Sequence, residues 1–281
     1  MKLVRFGGGR TGVLEGDAVI DTGLAPGASW LPFIERQKPS LSGPVKDLAS
    51  VALEAPLPDA GSRIFAMGGN FPMHLTEVTK NFPVPASIAD PDSPPWGFFV
   101  IPGTIVGPGA AVSPPAGTSF FDYEAELAVI LAGPDAEIWG YTGFNDFSSR
   151  DAGMQLSLVD HGPLTWSLQK NFATGNALGP SVVVGEAVDD VPISCRVNGE
   201  LRQQDTSASM RFDFAAIATH IREYLPLRAG DILVSGTPGG TAVEYGPQGT
   251  RWLKHGDVTE VEVGEAGVLR NAVEVRAHAS V

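Results

Sequence analysis

Glycine and proline are spread along the whole chain, and they limit the length of any helix or strand it can form. The 281 residues include 34 glycines and 23 prolines, which are dispersed rather than clustered. Both residues interrupt regular secondary structure and favour turns. The pattern therefore predicts many short strands joined by turns, and it argues against a long linker.

The segments between these turns mostly predict strands. Asn198-Gly199, in VNGEL, has the composition of a tight hairpin turn. The segment DFAAIATHIREYL is the one convincing helix, with Asp213 as its N-cap and an apolar stripe that includes Phe214 and Ile217. We therefore expect a mostly β (α+β) fold.

Two domains are predicted, a small β-rich N-terminal domain (residues 1–57) and a larger one (residues 58–281), with APLPDAGSR as the junction. Near the start, Gly7, Gly9 and Gly12 fit the G-x-G-x-x-G pattern of dinucleotide sites. That pattern requires a helix directly afterwards. The following VLEGDAVIDTG alternates and turns again, so we predict a β-meander and no nucleotide site.

The composition argues against several classes of partner. Hydrophobic residues make up 43% of the chain and charged residues 18%, so a sizeable core can be buried. The formal net charge of −13 disfavours nucleic acids and anionic membranes, which attract basic surfaces. No segment has the features of a signal peptide or a membrane span, which predicts a cytoplasmic protein. Cys195 is the only cysteine, and we expect it to be a packed thiol.

Three carboxylates are spaced by two in FFDYEAELAVIL, at Asp122, Glu124 and Glu126. Residues at i, i+2 and i+4 of a strand share one face, and the apolar run that follows indicates a strand entering a core. Like charges about 6.5–7 Å apart repel one another unless a cation intervenes. A hard divalent ion, Mg²⁺ or Mn²⁺, would resolve the repulsion, and a solvated acidic face is the alternative. Asp146, at a predicted strand end, is the candidate third ligand.

Seven motifs occur in the order found in one enzyme family. They are GGNFPMHLTE, DYEAELAVIL, NDFSSRD, QKNFATGNALGP, VNGELRQ, GDILVSGTPGGT and LKHGDVTEVEVGEAGVLRN. In these motifs the chain resembles the fumarylacetoacetate hydrolase (FAH) superfamily, metal-dependent enzymes that act on 1,3-dicarbonyl and 2-oxo acid compounds. The resemblance implies a mixed β-sandwich roll with a small β-rich N-terminal domain, and a homodimer.

The resemblance also implies roles for individual residues. Glu124, Glu126 and Asp146 would bind Mg²⁺ or Mn²⁺, with Asp122 as a neighbour rather than a ligand. The implied catalytic residues are His74 and Glu77, a pair that orients and deprotonates water, and Lys170, which faces the oxyanion or carboxylate of the substrate. The implied substrate-binding residues are Gly236, Thr237, Asn70 and Arg150.

By this resemblance the chain is a divalent-metal hydrolase that cleaves a C–C bond in a small 1,3-dicarbonyl compound, such as an acylpyruvate or a β-diketone. Cleavage leaves a carbanion, which the metal would hold as an enolate while the His–Glu pair activates water. The alternative is an isomerase, hydratase, dehydratase or decarboxylase acting on a 2-oxo acid at the same site. A non-catalytic protein of this family is a more remote alternative.

Three positions depart from the family pattern. Ile101 stands where a lysine is common, Gly153 where a glutamine is common, and Phe71 where a tyrosine is common. The first two changes remove polar groups, so we expect a less charged or bulkier substrate than a simple dicarboxylate. The long segment Thr79–Pro95 predicts a loop and is a candidate lid.

Overall fold

The computed structural model describes residues 1–35, 38–39, 41, 43–82, 90, 92–151 and 162–275. The α-helices in these residues are α1 (Leu31–Ile34), α2 (Pro72–Thr79), α3 (Gly162–Lys170) and α4 (Phe214–Arg222). Short 3₁₀ helices cover Leu48–Ser50, Pro102–Thr104, Ser207–Ser209 and Ala242–Tyr245. The strands are β1 (Lys2–Phe6), β2 (Arg10–Glu15), β3 (Ala18–Asp21), β4 (Val45–Asp47), β5 (Leu53–Glu54), β6 (Ile64–Met67), β7 (Gly97–Val100), β8 (Ile105–Val106), β9 (Ala111–Val112), β10 (Phe121–Asp122), β11 (Ala125–Leu131), β12 (Ile138–Asp146), β13 (Ser148–Ser149), β14 (Asn176–Val184), β15 (Pro192–Val197), β16 (Glu200–Thr206), β17 (Ile232–Val234), β18 (Val258–Val263) and β19 (Val268–Val273).

Two β-sheets account for most of the structure. The larger sheet has the strand order β4-β3-β2-β1-β14-β12-β11-β17-β6-β7, with β5 paired to β1 and β8 paired to β14. The smaller sheet has the order β16-β15-β18-β19-β9, and β10 pairs with β13 in a separate ribbon. The predicted mostly β fold with few helices is confirmed.

Strand β11 lies inside the larger sheet, between β12 and β17, and all of its residues are buried. Leu127 belongs to a core shared with Val261 of the smaller sheet. Ala128 belongs to a second core, on the other face, which includes Trp30. A strand that is covered on both faces needs apolar residues at every position. This explains why the chain becomes wholly apolar after Glu126.

The long strand predicted through DYEAELAVIL is interrupted in the structure. Phe121–Asp122 forms β10, which pairs with β13, and β11 begins only at Ala125. The prediction that three carboxylates follow one another along a single strand is therefore wrong. Asp122 lies in the separate ribbon, and its carboxylate accepts hydrogen bonds from the backbone N–H groups of Ala242 and Val243.

The glycine-rich start of the chain forms part of the predicted β-meander. β1 and β2 pair across a turn in which Gly7, Gly8 and Gly9 have φ values of 51°, 85° and 86°. Such positive values favour glycine. A strand, not a helix, follows this turn, so the dinucleotide-binding motif is not formed. β1 also pairs with β14, which joins these strands to the larger sheet, and the domain boundary at residue 57 stays a prediction.

The predicted helix after Asp213 is present as α4. The Asp213 carboxylate accepts a hydrogen bond from the backbone N–H of Ala216 at 2.7 Å, and Ile217 faces the core. The hairpin between β15 and β16 turns at Asn198-Gly199, as predicted, and Cys195 is buried in β15. None of the helices in the described ranges is long and apolar enough to span a membrane.

Thr11 completes a buried polar cluster under the N-terminal strands. Its hydroxyl accepts hydrogen bonds from Arg5 Nη1 at 3.0 Å and from Trp30 Nε1 at 2.8 Å. Thr11→Val keeps the shape of the side chain but leaves both buried donors without this acceptor. We expect the free energy of unfolding, measured by urea denaturation, to fall by about 1–3 kcal/mol.

Thr219→Val is the matched control for this substitution. Thr219 is exposed, and its hydroxyl donates only to the carbonyl of Ala215 in its own helix. Equal stability of the two variants would contradict the role given to Thr11.

Candidate metal centre

The three carboxylates predicted to bind a metal lie together at one end of the larger sheet. Glu126 is in β11, Glu124 directly precedes that strand, and Asp146 ends β12. The backbone N–H of Asp146 donates to the carbonyl of Glu124 at 2.9 Å, which holds the two segments side by side. One oxygen from each carboxylate lies within 4.8 Å of the others, and all three residues are buried.

Two cationic side chains contact these carboxylates. Lys170 Nζ lies 2.5 Å from Glu124 Oε2 and 2.7 Å from Asp146 Oδ2. The guanidinium of Arg150 bonds to Glu124 Oε1 and, at 3.1 Å, to Asp122 Oδ2. With Glu126 included, four carboxylates share two cations, so the cluster carries excess negative charge when every group is ionised.

The three candidate ligands differ in how readily they lose a proton. Burial opposes ionisation of Glu124, but the charges of Lys170 and Arg150 outweigh it and lower its pKa to about 2. Burial raises the pKa of Asp146 to about 7, because the Glu124 charge adds to this effect and Lys170 only partly offsets it. Burial, with the charges of Asp146 and Glu124, raises the pKa of Glu126 well above its usual value.

The donor set suits a hard divalent cation. Carboxylate oxygens are the ligands that Mg²⁺ and Mn²⁺ prefer. Asp146 Oδ1 is buried and has no hydrogen-bond partner within the described ranges, although buried polar atoms ordinarily have one. A cation held by Glu124, Glu126 and Asp146 would satisfy this oxygen and reduce the repulsion among the three groups. The residues present therefore fit a divalent ion.

Gly236 and Thr237, the substrate contacts predicted after β17, hydrogen-bond to the ligand strand. The N–H of Gly236 donates to Glu126 Oε2 at 3.0 Å, and the Thr237 hydroxyl donates to the carbonyl of Ala125 at 3.0 Å. Gly236 has a φ of 80°, and a Cβ there would lie 3.1 Å from the carbonyl oxygen of Met67. Gly236 thus orients the candidate ligand Glu126, Thr237 holds the backbone beside it, and a direct contact of either residue with substrate stays a prediction.

Asn70, a predicted substrate contact, is bonded to backbone groups of the fold. Its Nδ2 donates to the carbonyls of Phe212 and Ser235 at 3.0 and 2.8 Å, and its Oδ1 accepts from the N–H of Phe212 at 2.9 Å. Because these bonds use both amide hydrogens and the oxygen, Asn70 fixes the turn before α2. Arg150 is likewise bonded to the two carboxylates named above, and contacts of Asn70 and Arg150 with a substrate stay predictions.

His74 is paired with a glutamate that the sequence did not indicate. His74 Nδ1 lies 2.6 Å from Glu244 Oε1, and both side chains are largely buried. Glu77 shares α2 with His74, as the spacing predicts, but its carboxylate accepts from Lys80 Nζ at 2.5 Å on the outer side of the helix. The predicted His74–Glu77 pair is therefore not formed, because a nearby lysine holds Glu77 and a buried carboxylate holds His74.

Glu244 is fixed within its own turn. Its Oε2 accepts from the N–H of Gly240 at 2.7 Å, and its Oε1 accepts from the Thr241 hydroxyl at 3.2 Å. The spacing Thr241-x-x-Glu244 is that of a capping box, which is the sequence signal that marks the start of this 3₁₀ helix. The motif SGTPGG by itself indicated only a turn.

Gln203 is a second residue that the sequence did not single out. Its side-chain oxygen accepts from the N–H of Ala125 at 2.9 Å, and its Nε2 donates to Thr237 Oγ1 at 2.7 Å and to the carbonyl of Pro238 at 2.8 Å. Gln203 therefore ties the ligand strand to the turn after β17. In the sequence, VNGELRQ indicated only a hairpin.

Metal affinity should depend on pH because protons compete for the ligands. The pKa of Asp146 is about 7, above its unfolded value, so the protonated carboxyl stabilises the metal-free fold at low pH and this stability is lost as pH rises through about 7. An ion requires the ionised form. Mg²⁺ binding should therefore be at least about tenfold weaker at pH 6 than at pH 8, because the Asp146 proton alone gives this factor and the raised pKa of Glu126 adds further competition.

Isothermal titration calorimetry checks this expectation. In two buffers of different ionisation enthalpy at pH 6, Mg²⁺ binding should release protons. Asp146→Asn should abolish tight binding, whereas Asp213→Asn, which changes a carboxylate at the exposed cap of α4, should bind as the wild type does. Equal Mg²⁺ affinity at pH 6 and pH 8 would contradict the competition.

Comparison with known proteins places this chain in a family. Residues 63–274 match the model described as fumarylacetoacetate (FAA) hydrolase C-terminal. The chain is 30% identical over 271 residues to oxaloacetate tautomerase FAHD2B, mitochondrial, of Bos taurus, covering 92% of this chain and 77% of that relative.

Two solved structures extend the comparison. Fumarylacetoacetate hydrolase (EaFAH) of Exiguobacterium antarcticum is 28% identical, with a TM-score of 0.78, covering 98% of this chain and all of that one. The 5-carboxymethyl-2-hydroxymuconate delta-isomerase of Mycobacterium smegmatis is 25% identical, with a TM-score of 0.75 and the same coverage. Together with the family model and the carboxylate triad, these similarities show that the chain belongs to the fumarylacetoacetate hydrolase superfamily.

Proposed function

We propose that this protein is a divalent-metal-dependent enzyme that interconverts the keto and enol forms of a 2-oxo acid. The observation that carries the proposal is a buried His74–Glu244 pair in the same site as three clustered carboxylates. When bound, a divalent ion would polarise the substrate oxygens and make the neighbouring C–H group more acidic.

His74 is the residue to which we assign proton transfer. Glu244 holds the Nδ1 side of the ring, and the described residues give Nε2 no hydrogen-bond partner. A carboxylate that accepts from Nδ1–H favours the tautomer in which Nε2 can take a proton, and it stabilises the resulting cation. The charge of His74 also helps to lower the pKa of Glu124, which supports placing the ring within electrostatic reach of the ligands.

Lys170 supplies fixed positive charge rather than a base. Burial opposes its charge, but the carboxylates of Asp146 and Glu124 outweigh burial and raise the pKa of Lys170 above its usual value. The ammonium therefore stays protonated and can stabilise negative charge that develops on a substrate oxygen.

The relatives support isomerisation as the reaction class. The bovine relative is named an oxaloacetate tautomerase, and the mycobacterial structure is named a delta-isomerase. Both reactions move a proton without breaking the carbon skeleton, and a single base next to a cation site suffices for that.

Hydrolysis of a C–C bond in a 1,3-dicarbonyl compound is the second candidate. A carboxylate-backed histidine can deprotonate a water molecule as well as a carbon acid, and the Exiguobacterium structure is named a fumarylacetoacetate hydrolase. The two reactions differ in whether water attacks the second carbonyl. The hydratase, dehydratase and decarboxylase reactions that the resemblance also allows stay predictions.

Aromatic side chains beside Lys170 favour a substrate with an apolar substituent. Lys170 Nζ lies 5.6 Å from the centroid of the Phe98 ring. Trp166 packs against Phe98 and Trp96, with ring centroids 5.0 and 5.8 Å apart. Ile101, which replaces the lysine common in the family, is 53% exposed and adds apolar surface after the same strand.

Other expectations from the resemblance stay predictions. Gly153 and residues 83–89 and 91 of the candidate lid Thr79–Pro95 lie outside the described residues. The homodimer is to be tested by multi-angle light scattering. A small 2-oxo acid or dicarbonyl compound is the expected partner of the site.

A substrate panel with Mg²⁺ tests the reaction. Enol absorbance would be followed for oxaloacetate and for alkyl- and aryl-substituted 2-oxo acids, and cleavage products of acylpyruvates would be identified by mass spectrometry. We expect tautomerisation, with a higher kcat/KM for the substituted acids. Cleavage without tautomerisation would favour the second candidate. A clear preference for oxaloacetate would contradict the apolar substituent, and no turnover at all would favour a non-catalytic protein.

Replacing each glutamate separately tests which one supports His74. Glu244→Gln should lower kcat by about 10²–10⁴-fold, the range for loss of general acid–base catalysis. Glu77→Gln is the matched control and should leave kcat close to the wild-type value, because its carboxylate is held by Lys80. The opposite result would restore the predicted His74–Glu77 pair.

Lys170→Met tests the electrostatic role of the lysine. Loss of one fixed charge should lower kcat by about 10²–10³-fold. Mg²⁺ affinity should be unchanged or higher, because the substitution removes a positive charge from the ligands. A variant that loses Mg²⁺ binding and keeps its rate at saturating Mg²⁺ would refute this role.

A further inference from the structure

We infer that Asp122 is a positioning residue that links the metal ligands to the His74–Glu244 pair. This inference rests on the proposed function for its catalytic consequence, although the link itself is a matter of geometry. Asp122 is fully buried and precedes the ligand Glu124 by two residues.

One oxygen of Asp122 anchors the turn that carries Glu244. Asp122 Oδ1 accepts from the N–H of Ala242 at 2.7 Å and from the N–H of Tyr123 at 2.9 Å. The 3₁₀ helix Ala242–Tyr245 therefore begins against this carboxylate, which satisfies an N–H group that has no partner inside the helix.

The other oxygen reaches both sides of the site. Asp122 Oδ2 accepts from the N–H of Val243 at 3.1 Å and from Arg150 Nε and Nη2 at 3.2 and 3.1 Å. The same Nη2 bonds to Glu124. A single carboxylate thus contacts the backbone beside Glu244 and the cation beside a candidate metal ligand.

The turn transmits this anchoring to His74. Glu244 is held by Gly240 and Thr241 within the same turn, and it bonds to the ring of His74. Moving the start of the 3₁₀ helix would therefore move the carboxylate that fixes the histidine tautomer. The carboxylate that holds His74 is thus positioned through Asp122, whereas Glu77, on the same helix as His74, bonds to Lys80 instead.

All five hydrogen bonds to Asp122 come from N–H donors, so a carboxylate is required. An asparagine has nearly the same shape, but its amide NH₂ group cannot accept a hydrogen bond. Wherever that group replaces a carboxylate oxygen, it would face N–H donors and lose their hydrogen bonds. Asp122→Asn should therefore release part of the turn without leaving a cavity.

Asp231→Asn is the matched control. Asp231 is also fully buried and also accepts from an arginine, Arg63, and from a backbone N–H, that of Arg228. It precedes β17, whereas Gly236, which bonds to the ligand Glu126, follows that strand. Asp231→Asn therefore makes the same chemical change as Asp122→Asn, at the end of β17 opposite to the one that Gly236 follows.

The first readout is the tautomer of His74, which needs no substrate. Long-range ¹H–¹⁵N spectra at pH 8 report which ring nitrogen carries the proton, and His74→Gln assigns the signals. We expect His74 to be protonated at Nδ1 in the wild type and in Asp231→Asn, and to be a mixture of both tautomers in Asp122→Asn. A single Nδ1–H tautomer in Asp122→Asn would overturn the inference.

Ala242→Pro provides a second route if Asp122→Asn fails to fold. Proline is tolerated at the first position of a helix, and Thr241 before it is extended, with φ −66° and ψ 161°. This variant removes one N–H donor to Asp122 and keeps the carboxylate. It should shift the His74 tautomer in the same direction, and an unchanged tautomer would count against the inference.

The second readout is catalytic. Asp122→Asn should lower kcat by about 10–100-fold, the usual effect of losing an outer-sphere partner, with little change in KM. Combined with Glu244→Gln, it should add little to the loss caused by Glu244→Gln alone, because both act through His74. Additive losses would show that Asp122 acts independently. If no substrate turns over but the tautomer shifts, the positioning role holds and the proposed function fails.

Discussion

Repulsion among carboxylates that are buried together is the constraint on which the rest of the site depends. Glu124, Glu126 and Asp146 approach within 4.8 Å, far from water. The fold meets this constraint by placing Lys170 and Arg150 against them, while burial, together with the charges of Asp146 and Glu124, raises the pKa of Glu126. Because a bound cation reduces the repulsion among buried carboxylates, such a site strongly favours a hard divalent ion.

The scaffold keeps these charges together because the ligand strand cannot relax. β11 is paired on both edges and buried on both faces, so a shift of its register would bury Glu124 or Glu126 among apolar side chains. Gln203 and Thr237 add hydrogen bonds to Ala125, between the two glutamates. Ligands held on a rigid strand keep their geometry through a catalytic cycle. The carboxylate that holds His74, by contrast, is carried by the short 3₁₀ turn at Glu244.

The features that could be predicted from the sequence are those encoded locally. The spacing of two residues predicted that Glu124 and Glu126 share one face. The N-cap Asp213 and the apolar stripe that follows it predicted α4. The predicted strand end at Asp146 made it a candidate third ligand, and the ordered family motifs added Lys170, which spacing alone could not connect to the carboxylates. The partner of His74 escaped prediction because Glu244 is distant in the chain, and the nearer Glu77 is taken by Lys80. For Asn70 and Asp122, residue type was informative, but only the fold shows which backbone groups their side chains bind.

The pairing of four carboxylates with two fixed cations affects how the site attracts a charged substrate. With one divalent ion present and every group ionised, the cluster of Asp122, Glu124, Glu126, Asp146, Lys170 and Arg150 is electrically neutral. A neutral centre exerts no long-range pull on an anion in a protein whose formal net charge is −13. Substrate capture should then depend on short-range coordination and shape rather than on long-range attraction to the site.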